Sequence, residues 1–167
     1  MSQKKIIIVP LLLLATIYFC AALIKKTGYG LTYQISASMP RGFYLIKPAE
    51  KIKRGDIIVF YPPKKIATFL LQHKWIAPDK LLMKHVAAIT GDYVCKHNAT
   101  IFINHKKVAH ITHYYAPGKP LPSKPFCTTL KKNQYLALST KIKRSFDGRY
   151  FGPIDKKTIV GKAVKLF

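Results

Sequence analysis

The sequence predicts a mainly β domain of antiparallel strands behind an N-terminal transmembrane helix. Three observations carry this: an uncharged apolar run near the N-terminus, short β-branched and aromatic runs punctuated by Gly, Pro and Asp beyond it, and scarce helical periodicity in that second part.

The apolar run covers residues 6–24, nineteen positions without a charge, flanked by Lys4 and Lys5 on one side and Lys25 and Lys26 on the other. At ~1.5 Å per residue such a helix spans about 28 Å, close to the thickness of a bilayer's hydrocarbon core. Pro10 sits near one end, where a membrane helix tolerates it. A cleaved signal sequence is the alternative, with the small residues Cys20, Ala21 and Ala22 near the end of the run. The run is longer than a usual signal h-region, which favours a retained anchor over residues 1–27 and a folded domain over residues 28–167. Lysine pairs on both flanks leave the orientation unsettled by charge alone.

Strand signals follow in order. Residues 56–61 form a β-branched and aromatic run, preceded by Arg54 and Gly55 and stopped by Pro62 and Pro63. A second run, residues 81–90, closes at Gly91 and Asp92. Residues 101–104 and 107–109 read as two arms of a hairpin turning near His105 and Lys106, and residues 135–139 and 159–166 are further strands. Residues 64–80 have room for a short helix, and residues 114–125, with four prolines, read as a loop. Several short strands with turn signals between them point to one antiparallel β domain.

Charge limits the chemistry. Twenty-nine Lys and Arg stand against six acidic residues, a net charge of +23. The acids are Glu50, Asp56, Asp79, Asp92, Asp147 and Asp155, too few for a paired-carboxylate hydrolase or a magnesium or calcium site. The basic residues are scattered along the chain, and no zinc finger, basic zipper or RNA-binding signature gathers them into a nucleic-acid groove. A basic surface beside anionic lipid is the better reading. No cofactor motif is present, and the oligomeric state is open.

Of three cysteines, Cys20 lies in the apolar run, leaving Cys95 and Cys127. Their spacing fits no metal site. In an oxidising compartment they could form a disulfide closing a loop of about 33 residues, worth ~3–4 kcal/mol in the chain-entropy model, and two free buried thiols are the equal alternative.

Three segments carry candidate chemistry. Residues 36–44 (SASMPRGFY) place Ser36 and Ser38 two apart, a dozen residues past the apolar run. A serine hydroxyl needs a nearby base to become a nucleophile. In residues 81–89 (LLMKHVAAI), strand periodicity puts Leu82, Lys84, Val86 and Ala88 on one face, an apolar setting for an ammonium. Desolvation lowers a lysine's pKa from about 10.4, and one brought to about 8 serves as a base near neutral pH. The plainer reading is a lysine that snorkels from an edge strand. His85 falls on the opposite face. In residues 145–153 (SFDGRYFGP), Ser145, Asp147 and Arg149 gather within five positions, which by itself is also the pattern of a polar turn with a surface ion pair.

Taken in order, Ser-x-Ser-Met-Pro, Arg-Gly-Asp-Ile-Ile-Val-Phe, Lys-His-Val-x5-Gly-Asp and Ser-x-Asp-Gly-Arg-x-Phe-Gly resemble the bacterial type I signal peptidases, and most their conjugative-transfer branch, the TraF-type peptidases that mature pilin. The resemblance covers roughly residues 36–152. It implies a signal-peptidase-like β fold and a serine–lysine dyad, with Ser38 as nucleophile and Lys84 as its neutral base. Ser36 and the backbone N–H of Ser38 would stabilise the oxyanion, Ser145 would orient the Lys84 amine, and Asp147 and Arg149 would brace the site. No metal or cofactor is implied.

The chain also departs from the ordinary signal-peptidase pattern. Met39 and Pro40 are adjacent where one residue usually separates them. Leu138, Ser139 and Thr140 replace Gly-Asp-Asn, and Gly148 stands where a serine is usual. The first two departures, with Gly42 and Tyr44, point to the conjugation branch. The implied function is a serine endopeptidase in the inner membrane, its catalytic domain on the periplasmic face, cutting a precursor such as pilin, with circularisation of the product as an alternative to hydrolysis. A general leader peptidase for secreted proteins is the rival enzyme. A catalytically silent, membrane-tethered binder of DNA or of a secretion complex is the rival from another class.

Overall fold

The computed structural model of the chain describes residues 3–140, 142 and 145–167, and within the first helix the side chains of residues 8–19 and 22. That helix, α1, runs Gln3–Lys26 with Pro10 inside it. Its large apolar side chains between Ile8 and Phe19 are 51–78% exposed, so the rest of the protein does not cover them. Among the described residues no helix is long and apolar enough to cross a membrane. The flanks of the apolar run, including both lysine pairs and Cys20, lie outside the described side chains. The expected transmembrane span is thus seen as a helix and not shown as a span.

Beyond α1 the chain is built of short strands. The first are β1 (Gly30–Gln34), β2 (Gly42–Lys47) and β3 (Ile57–Phe60), followed by the helix α2 (Lys64–Gln72) and β4 (Leu82–Ala88). Next come β5 (Tyr93–His97), β6 (Thr100–Ile103), β7 (Lys106–His110), β8 (Tyr114–Ala116), β9 (Lys119–Pro120), β10 (Phe126–Thr129) and β11 (Gln134–Leu138). A one-turn helix α3 (Gly148–Phe151) precedes β12 (Ile154–Asp155) and β13 (Ile159–Lys165). Seven strands form one sheet in the order β1-β2-β13-β3-β4-β11-β12, and four form another in the order β10-β5-β6-β7. Every pairing is antiparallel.

The strands expected at 56–61, 81–90, 101–104, 107–109, 135–139 and 159–166 are β3, β4, β6, β7, β11 and β13, and the short helix is α2. The proline-rich segment 114–125 is not wholly loop: β8 and β9 pair as a small ribbon, with Gly118 between them at φ +68°. The sequence reading did not single out β1, β2, β5 and β10. Each is short and mixes polar with apolar residues, so its partner strand rather than its own pattern defines it.

Sheet burial follows a simple rule here. In β11, Tyr135 and Ala137 pack with Ile58, Phe60 and Val86, while Leu136 and Leu138 pack with Val94, Ile101 and Ile111. Both faces of the strand are therefore covered, which is why it reads as a continuous apolar run. Full burial of such a Leu or Ile side chain contributes roughly 1.5–3 kcal/mol. A third cluster, Met39, Tyr44, Val59, Met83 and Ala163, lies under the β1–β2 turn. Arg54, just before β3, donates to both carboxylate oxygens of Asp92 at 2.8 and 2.7 Å and to the Ala87 carbonyl, while Asn104 donates to Asp92 from the end of β6. The Arg54-Gly55-Asp56 and Gly91-Asp92 segments thus tie the two large sheets together. Cys95 and Cys127, opposite each other in β5 and β10, are joined by a disulfide.

Candidate active site

Ser38 lies in the tight connection between β1 and β2, and three contacts fix that connection. Met39 is buried in the cluster beneath it. The phenol of Tyr44, itself fully buried, donates to the Pro40 carbonyl at 2.8 Å. Ser139, at the end of β11, donates from Oγ to the Ser38 carbonyl at 2.8 Å. Gly42, at φ +139°, admits no side chain: a Cβ there would collide with the Phe167 carbonyl, so the C-terminus passes against the start of β2 only because this position is glycine.

Lys84 comes from β4, where it pairs with Ile58 of β3. Met83 beside it and Val86 two residues on belong to apolar clusters, and it is only 3% exposed. Its Nζ lies 2.8 Å from Ser38 Oγ. Burial pushes the amine down from its ordinary 10.5 to about 8, with the Asp147 carboxylate pulling it up and Arg149 pushing it further down. An amine that loses its proton near pH 8, held at hydrogen-bond distance from a hydroxyl, can take that hydroxyl's proton. Ser36 Oγ stands 2.9 Å from Ser38 Oγ, so a second hydroxyl lies beside the first. Gln34, the last residue of β1, donates to Ser36 Oγ at 2.7 Å.

Asp147 and Arg149 are both buried and pair at 2.8 Å. Asp147 caps α3 by accepting from the Arg149 N–H, accepts from Arg149 Nε, and accepts from the Ser139 N–H at 2.9 Å. Arg149 donates onward to the carbonyls of Ser139 and Ile142. The pair therefore fixes Ser139, and Ser139 fixes Ser38. Gly148 sits between them because a Cβ would lie 2.8 Å from the Ala137 carbonyl and 2.9 Å from the Leu136 side chain. This packing leaves no room for the usual serine.

One expectation changes. Ser145 does not hold the Lys84 amine: it is 2% exposed and its Oγ makes no hydrogen bond among the described residues. Ser139, absent from the expected set, is the residue that grips the turn at Ser38. Its signal in the sequence was its place in the Leu138-Ser139-Thr140 departure. The site opens on a cleft of about 820 Å³ whose walls include Met39, Arg54, Val86, Asn104 and Leu138.

A hydroxyl beside a buried amine, on an antiparallel β scaffold, is an arrangement suited to serine acyl transfer. The profile of the signal peptidase family, peptidase S26, matches residues 3–167, and the chain belongs to this family of serine endopeptidases. Among curated proteins it is 29% identical over 152 residues to a plasmid transfer protein TraF of Escherichia coli, covering 84% of this chain and 85% of that one. It is 27% identical over 168 residues to a probable conjugal transfer protein TraF of Sinorhizobium fredii, covering 92% and 87%. A signal peptidase IB of Staphylococcus aureus is 29% identical over 125 residues, covering 66% and 58%. Among solved structures, a signal peptidase I from Enterococcus faecalis aligns with a TM-score of 0.40 and 20% identity, over 68% of this chain and 97% of that one.

Proposed function

We propose that the chain is a membrane-anchored endopeptidase that cuts a precursor protein through a Ser38–Lys84 dyad. The 2.8 Å approach of the Lys84 amine to the Ser38 hydroxyl, with the lysine almost fully buried, carries this reading. Neutral Lys84 takes the Ser38 proton as Ser38 Oγ attacks the scissile carbonyl. The Ser36 hydroxyl and the Ser38 N–H stabilise the oxyanion, a contribution worth about 10²–10³ in rate per donor in comparable sites. The protonated Lys84 then returns its proton to the leaving amine, and a water or a substrate amine releases the acyl group.

The substrate is a precursor handled in conjugative transfer, with a pilin first among the candidates. The two TraF relatives, each matched along most of its length, support this. Residues 1–27 serve as an inner-membrane anchor and residues 28–167 as a periplasmic catalytic domain. The uncovered apolar face of α1 supports the anchor, since an apolar surface of this size calls for lipid or a partner. Ser38 is 12 residues past the end of α1 at Lys26, which suits a cleavage site emerging from a bilayer. The +23 charge suits contact with anionic lipid. The signal peptidase IB relative supports a second reading, a leader peptidase for secreted proteins.

The test incubates the full chain, in detergent or vesicles, with a conjugative pilin precursor and separately with a conventional secretory preprotein, and reads the products by mass spectrometry. Cleavage of the pilin precursor, lost in Ser38→Ala and in Lys84→Ala, supports the proposal. A product lighter by one water than the hydrolysed form marks circularisation. Undiminished cleavage in either variant overturns the dyad, and cleavage of the secretory preprotein alone overturns the substrate.

A further inference from the structure

The dyad needs the Ser38 hydrogen to point at Lys84, and the hydroxyl network around it can run in either direction. Each serine hydroxyl carries one hydrogen. Ser36 Oγ and Ser38 Oγ are 2.9 Å apart, so one donates to the other. If Ser38 donates to Ser36, its hydrogen faces away from Lys84 and the amine has nothing to accept. Productive order requires Ser36 to donate to Ser38, and Ser38 to donate to the amine 2.8 Å away.

We infer that Gln34 sets this order, and is a positioning residue that acts on the nucleophile through Ser36. Its Nε2 donates to Ser36 Oγ at 2.7 Å and to the Ser36 carbonyl at 3.1 Å. A carbonyl oxygen can only accept, so the end of the amide that faces Ser36 is the NH2. Ser36 Oγ keeps a second lone pair, but an oxygen that already accepts one hydrogen bond is polarised toward donating, so the Gln34 amide favours the order in which Ser36 sends its own hydrogen to Ser38. Hydrogen bonds in such a chain polarise one another, so the same donation makes the Ser36 hydroxyl a better donor to an oxyanion. The position of Gln34 is fixed: it closes the β1–β2 ladder opposite Gly42, at the last pair before the chain turns to Ser36. This inference rests on the Ser38–Lys84 reading and adds a residue to it.

The experiment measures kcat and KM with whichever precursor the wild-type chain cleaves, using Gln34→Ala, Gln34→Glu and the double variant Gln34→Ala/Ser36→Ala, each checked for an unchanged circular dichroism spectrum. Gln34→Ala lowers kcat roughly tenfold with little change in KM, the size expected for losing one neutral hydrogen bond felt in the transition state. Gln34→Glu keeps the shape but offers an acceptor in place of a donor, and loses more than the alanine variant. In the Ser36→Ala background, removing Gln34 costs nothing further. Wild-type kinetics in Gln34→Ala, a loss confined to KM, or a full additional loss in the double variant each overturn the role of Gln34. Cleavage that survives in Ser38→Ala overturns the dyad itself. Cleavage abolished in Ser38→Ala but unaltered in Gln34→Ala overturns this inference alone.

Discussion

The hydroxyl of Ser139 donates a 2.8 Å hydrogen bond to the backbone carbonyl of Ser38, across 101 residues of sequence. It is a direct link between the end of β11 and the turn that carries Ser38, and it hangs from the buried Asp147–Arg149 pair. Ser139→Ala leaves the Ser38 carbonyl without this donor and loosens the angle at which the hydroxyl meets Lys84. The expected outcome is roughly a tenfold fall in kcat and about 1 kcal/mol in stability. Steady-state cleavage and urea unfolding of the purified chain check both. Ser139→Thr, which keeps the hydroxyl, should recover part of the rate.

The pH profile reports Lys84. Its pKa of about 8 means the amine is mostly protonated at neutral pH, so the cleavage rate should rise with pH and level off above about 8. Stability follows with a definite sign. The folded state holds this proton less tightly than the unfolded chain does, so the cost of burying the ammonium is full below pH 8 and fades between pH 8 and its ordinary 10.5. Lys84→Met should abolish cleavage while raising the melting temperature at pH 7. A cleavage rate flat from pH 6 to 9, with chemistry rate-limiting, would count against an amine base.

The Asp147–Arg149 pair should behave as a buried ion pair broken from one side. Arg149→Leu leaves the Asp147 carboxylate, 0% exposed, without its charge partner. A loss of roughly 3–5 kcal/mol is expected. Denaturant unfolding gives the stability, and the residual kcat of the folded fraction should fall as well, because Ser139 loses its anchor.

Lys96 offers a contrast with Lys84. It is also buried, at 5% exposure on β5, and burial brings it down to about 8, yet its Nζ has no hydrogen-bond partner among the described residues. It stands on the four-stranded sheet and does not line the cleft at Ser38. Lys96→Met removes the desolvation cost at similar volume and should stabilise the protein by about 1–3 kcal/mol at pH 7 with kcat unchanged. Thermal unfolding and the cleavage assay together check it.

Much of the fold was legible because its strands carry their own punctuation. Residues 56–61 are bounded by Arg54-Gly55 and Pro62-Pro63, and residues 81–90 end at Gly91-Asp92, so β3 and β4 could be placed without coordinates. β5 was less visible because Lys96 and His97 break its apolar pattern. β1 and β2 are defined mainly by pairing with each other and with β13. Lys84, Asp147 and Arg149 drew notice as a lysine in an apolar strand and a charge pair in a nearly acid-free chain, while Ser38 was singled out only by the resemblance of its motif to a known family. Gln34 did not stand out, and Ser139 was marked only as part of a departure from the family pattern, because a serine after a strand and a glutamine in one are ordinary residues until something meets them.

The sequence alone determined an apolar N-terminal segment and a strongly basic β domain, properties of local pattern and composition, and its motif order marked the segments that carry Ser38, Lys84 and Asp147 through their resemblance to a known family. Only the tertiary structure decided that the Lys84 amine meets the Ser38 hydroxyl, that Ser145 stays unpartnered while Ser139 takes hold of the turn, and that Gln34 faces Ser36. The physical reason is that hydrogen-bond distance and desolvation depend on residues far apart in the chain, and sheet pairing brings them together in a register that no single segment encodes.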